Sequence, residues 1–170
     1  MKISIENLGV IRYAEIELGK FTIICGMNNH GKTYVTYALY GFLHFWNNSF
    51  VIPVDKAILE KLQDTGICSI PVQNYINDFS LIIDMACDKY SKQLASVFSA
   101  QKNKFENAAF SIHVSPDEIM VIERIYEEGI KSPNTKTGLT ILKKPKDDAL
   151  TVTLFSETSK MGTIPDFIII

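Results

Sequence analysis

Residues 26–33 read Gly-Met-Asn-Asn-His-Gly-Lys-Thr, and this G-x-x-x-x-G-K-[ST] spacing constrains the fold more than any other feature of the chain. The pattern needs a strand ahead of it and a helix behind it, and both are legible. Phe21-Thr22-Ile23-Ile24-Cys25 is a short continuous apolar run ended by Gly26, as suits a strand covered on both faces in the middle of a sheet. After Gly31, Val35, Leu39, Phe42 and Trp46 recur at steps of four, three and four, the period of a helix. The other side of that helix carries Tyr37, Tyr40 and Phe45, which predicts burial on more than one face. Asn47-Asn48-Ser49 and Pro53 stop it.

The residue types at 26–33 suit one ligand class. A polyphosphate carries concentrated negative charge and needs donors held in place beforehand. A tight loop turns its backbone N–H groups inward as an anion nest. Gly26 and Gly31 permit the backbone angles and the close approach. The helix behind the loop adds unpaired N–H groups and the positive end of its dipole. Lys32 supplies a mobile point charge for the β- and γ-phosphates. Thr33 offers a hydroxyl to Mg²⁺. Asn29 tolerates left-handed angles where many such loops have glycine. His30 has a ring that can reach a phosphate oxygen, although its backbone alone satisfies the pattern. Gly26, Asn28, Asn29, His30, Gly31, Lys32, Thr33 and Tyr34 form the candidate site, with ATP and Mg²⁺ as the expected cofactors and Thr33 as the metal ligand.

The chain has 170 residues, one domain's worth, of which 46% are hydrophobic and 21% charged, enough to bury a core. A net charge of −2 gives no global attraction to nucleic acid or anionic lipid. No apolar run reaches the roughly 18 residues a membrane span needs. Glu6 interrupts the N-terminus too early for a signal peptide, so a cytoplasmic location is expected. Cys25, Cys68 and Cys87 are odd in number and widely spaced, which fits neither a disulfide framework nor a zinc site.

Residues 2–6 and 13–18 alternate like half-buried strands, with Asn7-Leu8-Gly9 as the turn between them. Residues 55–64 read as a short helix closed near Gly66. Pro71 is expected to open a long one, with Ile76, Phe79, Ile83, Ala86, Tyr90, Leu94 and Val97 on one stripe. Phe110 to Val114 reads as a strand. Ser115-Pro116-Asp117-Glu118 has a capping-box pattern and predicts a helix through Ile119, Ile122, Ile125 and Tyr126, ended by Gly129. Residues 139–143 and 149–155 read as a hairpin around a charged turn, and Pro165 to Ile170 as the start of a strand.

Two amphipathic strands precede the loop. Asn7-Leu8-Gly9, Ala14-Glu15-Ile16-Glu17-Leu18 and Phe21 to Gly26 together resemble the opening of ABC-class ATPase heads of the SMC and RecF group. The Asn-Asn-x-Gly-Lys-Thr version is similar to stand-alone members, such as the overcoming-lysogenisation-defect nucleases and PtuA-type ATPases of anti-phage defence. The resemblance covers residues 1–46. It implies an α/β P-loop NTPase, an ABC-ATPase-like N-terminal lobe with antiparallel strands beside a central Walker A strand and several helices. It also implies two heads that sandwich ATP as a homodimer or larger assembly, with a nuclease partner or DNA as further possibilities and no membrane. By position, Arg12 becomes a nucleotide contact, with Tyr13 beside it; a solvated turn arginine is the alternative.

Neither an L-S-G-G signature nor an apolar strand ending in Asp-Glu is found, so the catalytic residues stay unknown. The expected organisation is a single, incomplete N-terminal lobe over residues 1–170, whose missing partner is the remainder of the ATPase head. It comprises a strand–strand–strand–loop–helix core at 1–46, a mainly helical insertion at 54–130, and at 138–170 a hairpin with the start of a severed strand. Such a half-head would leave an open sheet edge. Two other functions remain open: a nucleotide-gated interaction module with little turnover, and a P-loop kinase. With only Arg12 and Arg124, the chain is poorly equipped for a kinase's arginine-bearing lid.

Overall fold

A computed structural model describes residues 1–115, 118–119, 124–131 and 137–156. Along the chain run β1 (Lys2–Leu8), β2 (Ile11–Glu17), α1 (Lys32–Asn48), α2 (Lys56–Thr65), β3 (Ile67–Pro71) and α3 (Val72–Asn77). Then follow α4 (Phe79–Ser91), α5 (Leu94–Val97), β4 (Ala109–His113), β5 (Tyr126–Lys131), β6 (Thr137–Lys143) and β7 (Ala149–Ser156). The class is α/β, with antiparallel sheets and several helices. The chain divides into two compact units, Met1–Phe50 with Asp78–Ile119, and Val51–Asn77 with Met120–Ile170.

The first unit is built on the sheet β2-β1-β4. β1 and β2 form a hairpin whose register sets Ile3 opposite Ile16, Ile5 opposite Ala14 and Leu8 opposite Ile11. β4 pairs antiparallel on the other side of β1, with Ile5 opposite Phe110. Ile3 and Ile5 are fully buried, as the period-two pattern predicts; Leu8, of the other parity, is fully buried too, after Asn7 takes φ 50° and breaks the alternation. They pack with Val35, Ala38, Phe42 and Phe45 of α1 and Ile83, Ala86 and Tyr90 of α4. Burying each of the larger side chains contributes on the order of 2 kcal/mol. The apolar stripe of α1 is turned from its expected course. Ala38 and Phe45 are buried, Leu39 and Trp46 half-buried, and Tyr37 and Tyr40 exposed.

The long helix expected after Pro71 is broken twice. Pro71 ends β3, opposite Ala149. The helix restarts at Asp78, whose carbonyl accepts from the Ile82 N–H at 3.0 Å. Asn77-Asp78 supplies two residue types that favour helix ends over interiors. After Ser91 the Gln93 N–H closes back on the Tyr90 carbonyl at 2.8 Å, and α5 follows.

The second unit holds the sheet β3-β7-β6-β5, with α2 against it. The Asp55 carboxylate caps α2 by accepting from the Ala57 N–H at 2.9 Å, and Gly66 ends the helix in the left-handed region. Leu62, Cys68, Leu139 and Val152 form a small core. The 139–143/149–155 hairpin is present as β6 and β7. The helix expected after Ser115 does not extend to Tyr126 and Gly129: Tyr126 begins β5, and Gly129 pairs with Thr140. The Glu118 carboxylate does accept from the Ser115 N–H at 3.0 Å, as a capping box requires. Residues 165–170, expected to start a strand, lie outside the described residues, as do Pro116, Asp117 and Ile122. Among the described residues no helix is long and apolar enough to cross a membrane.

Candidate phosphate-binding site

Residues 26–31 form a turn entered through Gly26 at φ 148° and left through Gly31 at φ 87°, with Asn29 at φ 65° between them. Asn29 therefore adopts the left-handed angle that its side chain tolerates. α1 starts directly at Lys32, no side chain caps it, and its first turn holds no acidic residue. Its leading N–H groups and the positive end of its dipole are thus left for an external anion.

The Lys32 side chain folds back over the loop. Its Nζ donates to the carbonyl oxygens of Gly26 and Met27, each at 2.7 Å. The ammonium therefore sits at the loop itself. The contacts are exposed and the acceptors neutral, so redirecting the charge to an anion costs little. His30 Nδ1 lies 2.8 Å from the Asn28 carbonyl. A carbonyl can only accept, so this contact selects the Nδ1–H tautomer and turns the ring onto the loop's own backbone. Asn28, Asn29 and Thr33 are exposed.

The β1–β2 hairpin braces the loop, which the sequence did not reveal. A Cβ on Gly31 would lie 2.6 Å from Ile11 Cγ1 and 3.3 Å from Val10 Cγ2. A Cβ on Gly9 would lie 2.4 Å from the Tyr34 ring. The turn expected at Asn7-Leu8-Gly9 lies instead at Gly9-Val10, because Leu8 stays in β1 and pairs with Ile11. Arg12, next after Ile11 on β2, is exposed, and strand alternation directs it to the opposite face from Ile11. The Tyr13 hydroxyl donates to Glu15 at 3.2 Å.

The run Phe21–Cys25 departs from expectation. It is not a paired strand; Phe21 and Ile23 are 83% and 70% exposed, and Cys25 is exposed too. A strand forms only where neighbours satisfy its N–H and C=O groups. The sheet of this unit runs β2-β1-β4, and no described strand pairs with this run.

Asp84 and Asp88 stand elsewhere in the unit. With Cys87, Ser91, Lys92 and Glu106 they line a cavity of about 650 Å³ whose lining includes no residue of 26–33. Burial pushes the Cys87 thiol up to about 11. The described residues contain no group of three or more His, Cys, Asp or Glu side chains placed to hold a metal. A divalent cation here would depend on the Thr33 hydroxyl together with oxygens of its own ligand.

Comparison with curated proteins and with solved structures gives no match. Residues 1–163 match the AAA ATPase domain family. That span takes in the hairpin, the loop and α1, and the match agrees with the geometry at Gly26–Thr33. The chain belongs to the AAA ATPase domain family, and is a P-loop ATPase domain of α/β fold.

Proposed function

We propose that the chain binds Mg-ATP through residues 26–33 and forms the nucleotide-binding portion of an SMC/RecF-like ATPase. It would serve as the motor or gating subunit of a DNA-processing or phage-defence complex, related to the stand-alone ATPases of anti-phage systems. One observation carries the binding reading: the Lys32 ammonium rests on the Gly26 and Met27 carbonyls at the head of an uncapped helix.

Gly26, Asn28, Asn29, His30 and Gly31 would supply the backbone cradle, and Lys32 the charge for the β- and γ-phosphates. Thr33 would give its hydroxyl to Mg²⁺, with Tyr34 beside it and Arg12 as an outer nucleotide contact. Bound Mg²⁺ would draw charge from the terminal phosphates and fix their geometry. The carboxylate that activates water would come from outside the described residues, either from the remainder of the head or from a second copy.

The exposed apolar margin of the loop supports an assembly. Phe21, Ile23 and Met27 are 83%, 70% and 76% exposed, more than a solvated loop needs. We place the remainder of the ATPase head over it, with a cytoplasmic dimer or larger assembly built on ATP sandwiched between heads. A nuclease or DNA would be engaged by that assembly.

Phosphate release by the full-length protein tests the motor reading. Steady turnover that is lost with Lys32→Ala supports it. Tight Mg-ATP binding without turnover would instead assign a nucleotide-gated interaction module. Transfer of phosphate to an acceptor other than water would assign a kinase.

A further inference from the structure

Tyr34 follows Thr33 directly, in the first turn of α1. Its ring is held from two sides. On one side is the Gly9 backbone, where even a methyl group would come within 2.4–2.8 Å of three ring carbons. On the other is Phe98, with ring centroids 5.1 Å apart and the planes tilted by 31°. Phe98 is itself stacked on Phe105 at 5.5 Å and 18°, and Phe105 is buried in the core. Gly9 has φ 59°, so the hairpin turn takes a left-handed angle at the point where the ring presses on it.

The first turn of α1 is thus clamped between the β1–β2 turn and the segment after α5. Lys32 and Thr33 lie within that turn, one and two residues before the clamped ring. Gly31, the residue before them, is braced independently by Ile11. A helix start otherwise frays, because its leading N–H groups have no intrahelical partner. Here packing takes the place of the missing cap.

We infer that Tyr34 is a positioning residue of the nucleotide site: the Gly9–Tyr34–Phe98 clamp fixes the helix start so that the Thr33 hydroxyl and the loop N–H groups keep the geometry that Mg-ATP requires. The inference rests on the reading of residues 26–33 as a Mg-ATP site. It assigns the ring an indirect role, through packing rather than through contact with the ligand.

The test uses the full chain as wild type, Tyr34→Phe, Tyr34→Ala and Gly9→Ala. Each is titrated by calorimetry with Mg-ATP and with ATP in EDTA, and melted separately. Tyr34→Phe keeps the ring and should bind within about twofold of wild type. Tyr34→Ala and Gly9→Ala should weaken Mg-ATP about tenfold, equivalent to about 1.4 kcal/mol. They should weaken metal-free ATP less, because the displaced hydroxyl is the metal's ligand. If Tyr34→Ala does not fold, Tyr34→Leu replaces it, since leucine fills space without presenting a flat face.

Wild-type affinity in Tyr34→Ala or Tyr34→Leu overturns the clamp while leaving the site reading intact. So does an equal loss with and without Mg²⁺, or a loss in Tyr34→Phe as large as in Tyr34→Ala. Absence of Mg-ATP binding by the wild type overturns the site reading, and the clamp's role with it.

Discussion

The Lys32 ammonium donates to the Gly26 carbonyl oxygen at 2.7 Å, joining the two ends of the phosphate loop across six residues. A point charge with three rotatable donors can hold that carbonyl and then turn to a phosphate. Lys32→Arg keeps the charge and replaces the compact head by a planar fork. Its Mg-ATP affinity should fall by at least about tenfold, or about 1.4 kcal/mol, with the melting temperature unchanged. Retained affinity would show that charge alone suffices at this position.

Gly31→Ala should destabilise the first unit by about 2–5 kcal/mol in urea unfolding. Two costs combine. A left-handed angle strains an L-residue by about 1–2 kcal/mol. Its Cβ would also meet Ile11 Cγ1 at 2.6 Å, and overpacking of this kind costs about 1–3 kcal/mol. Adding Ile11→Ala should recover part of the steric cost and none of the backbone strain. A double variant no better than Gly31→Ala would contradict the hairpin's role as a brace.

Cys87 gives the chain an alkaline signature. Burial, helped by the nearby Asp84 and Asp88, raises its thiol from 9.0 to about 11. Above pH 9 the unfolded chain therefore releases a proton that the folded one retains. Its stabilising contribution is complete below pH 9 and declines as the pH rises toward about 11, by about 1.4 kcal/mol per unit. Burial also raises the Tyr90 hydroxyl above its usual 10.0, which steepens the loss at still higher pH. Denaturant midpoints measured from pH 8 to 11 should fall in wild type, with a shallower slope in Cys87→Ala. Identical slopes would place the titration elsewhere.

In the second unit, Asp55→Ala removes the acceptor of the Ala57 N–H and should cost about 1 kcal/mol by chemical denaturation. Asp55→Asn keeps an acceptor and should recover most of it. No change in Asp55→Ala would mean that the cap is not populated in solution.

Local signals explain what could be read from sequence. The loop at 26–33, the helix behind it, the β1–β2 hairpin and the α2 caps each depend on residues within a few positions of one another. β5 had no such mark. All six of its residues are exposed, and Glu127-Glu128-Gly129 shows no apolar alternation. β3 is five residues long, and Pro71 at its end looked like a helix start. The apolarity of Phe21–Cys25 announces a need for cover but does not name the partner, and none of the described strands supplies it. The braces at Ile11 and Phe98 are contacts between residues 20 or more positions from Gly31 or Tyr34, which leave no periodic trace in the sequence.

Calorimetric titration of the purified chain with Mg-ATP, with Lys32→Ala in parallel, tests the nucleotide site most directly. The expected result is saturable binding by the wild type and loss of binding in Lys32→Ala at an unchanged melting temperature. Equal binding by the two proteins, or none by a folded wild type, would contradict the assignment of Gly26–Thr33 as the Mg-ATP site.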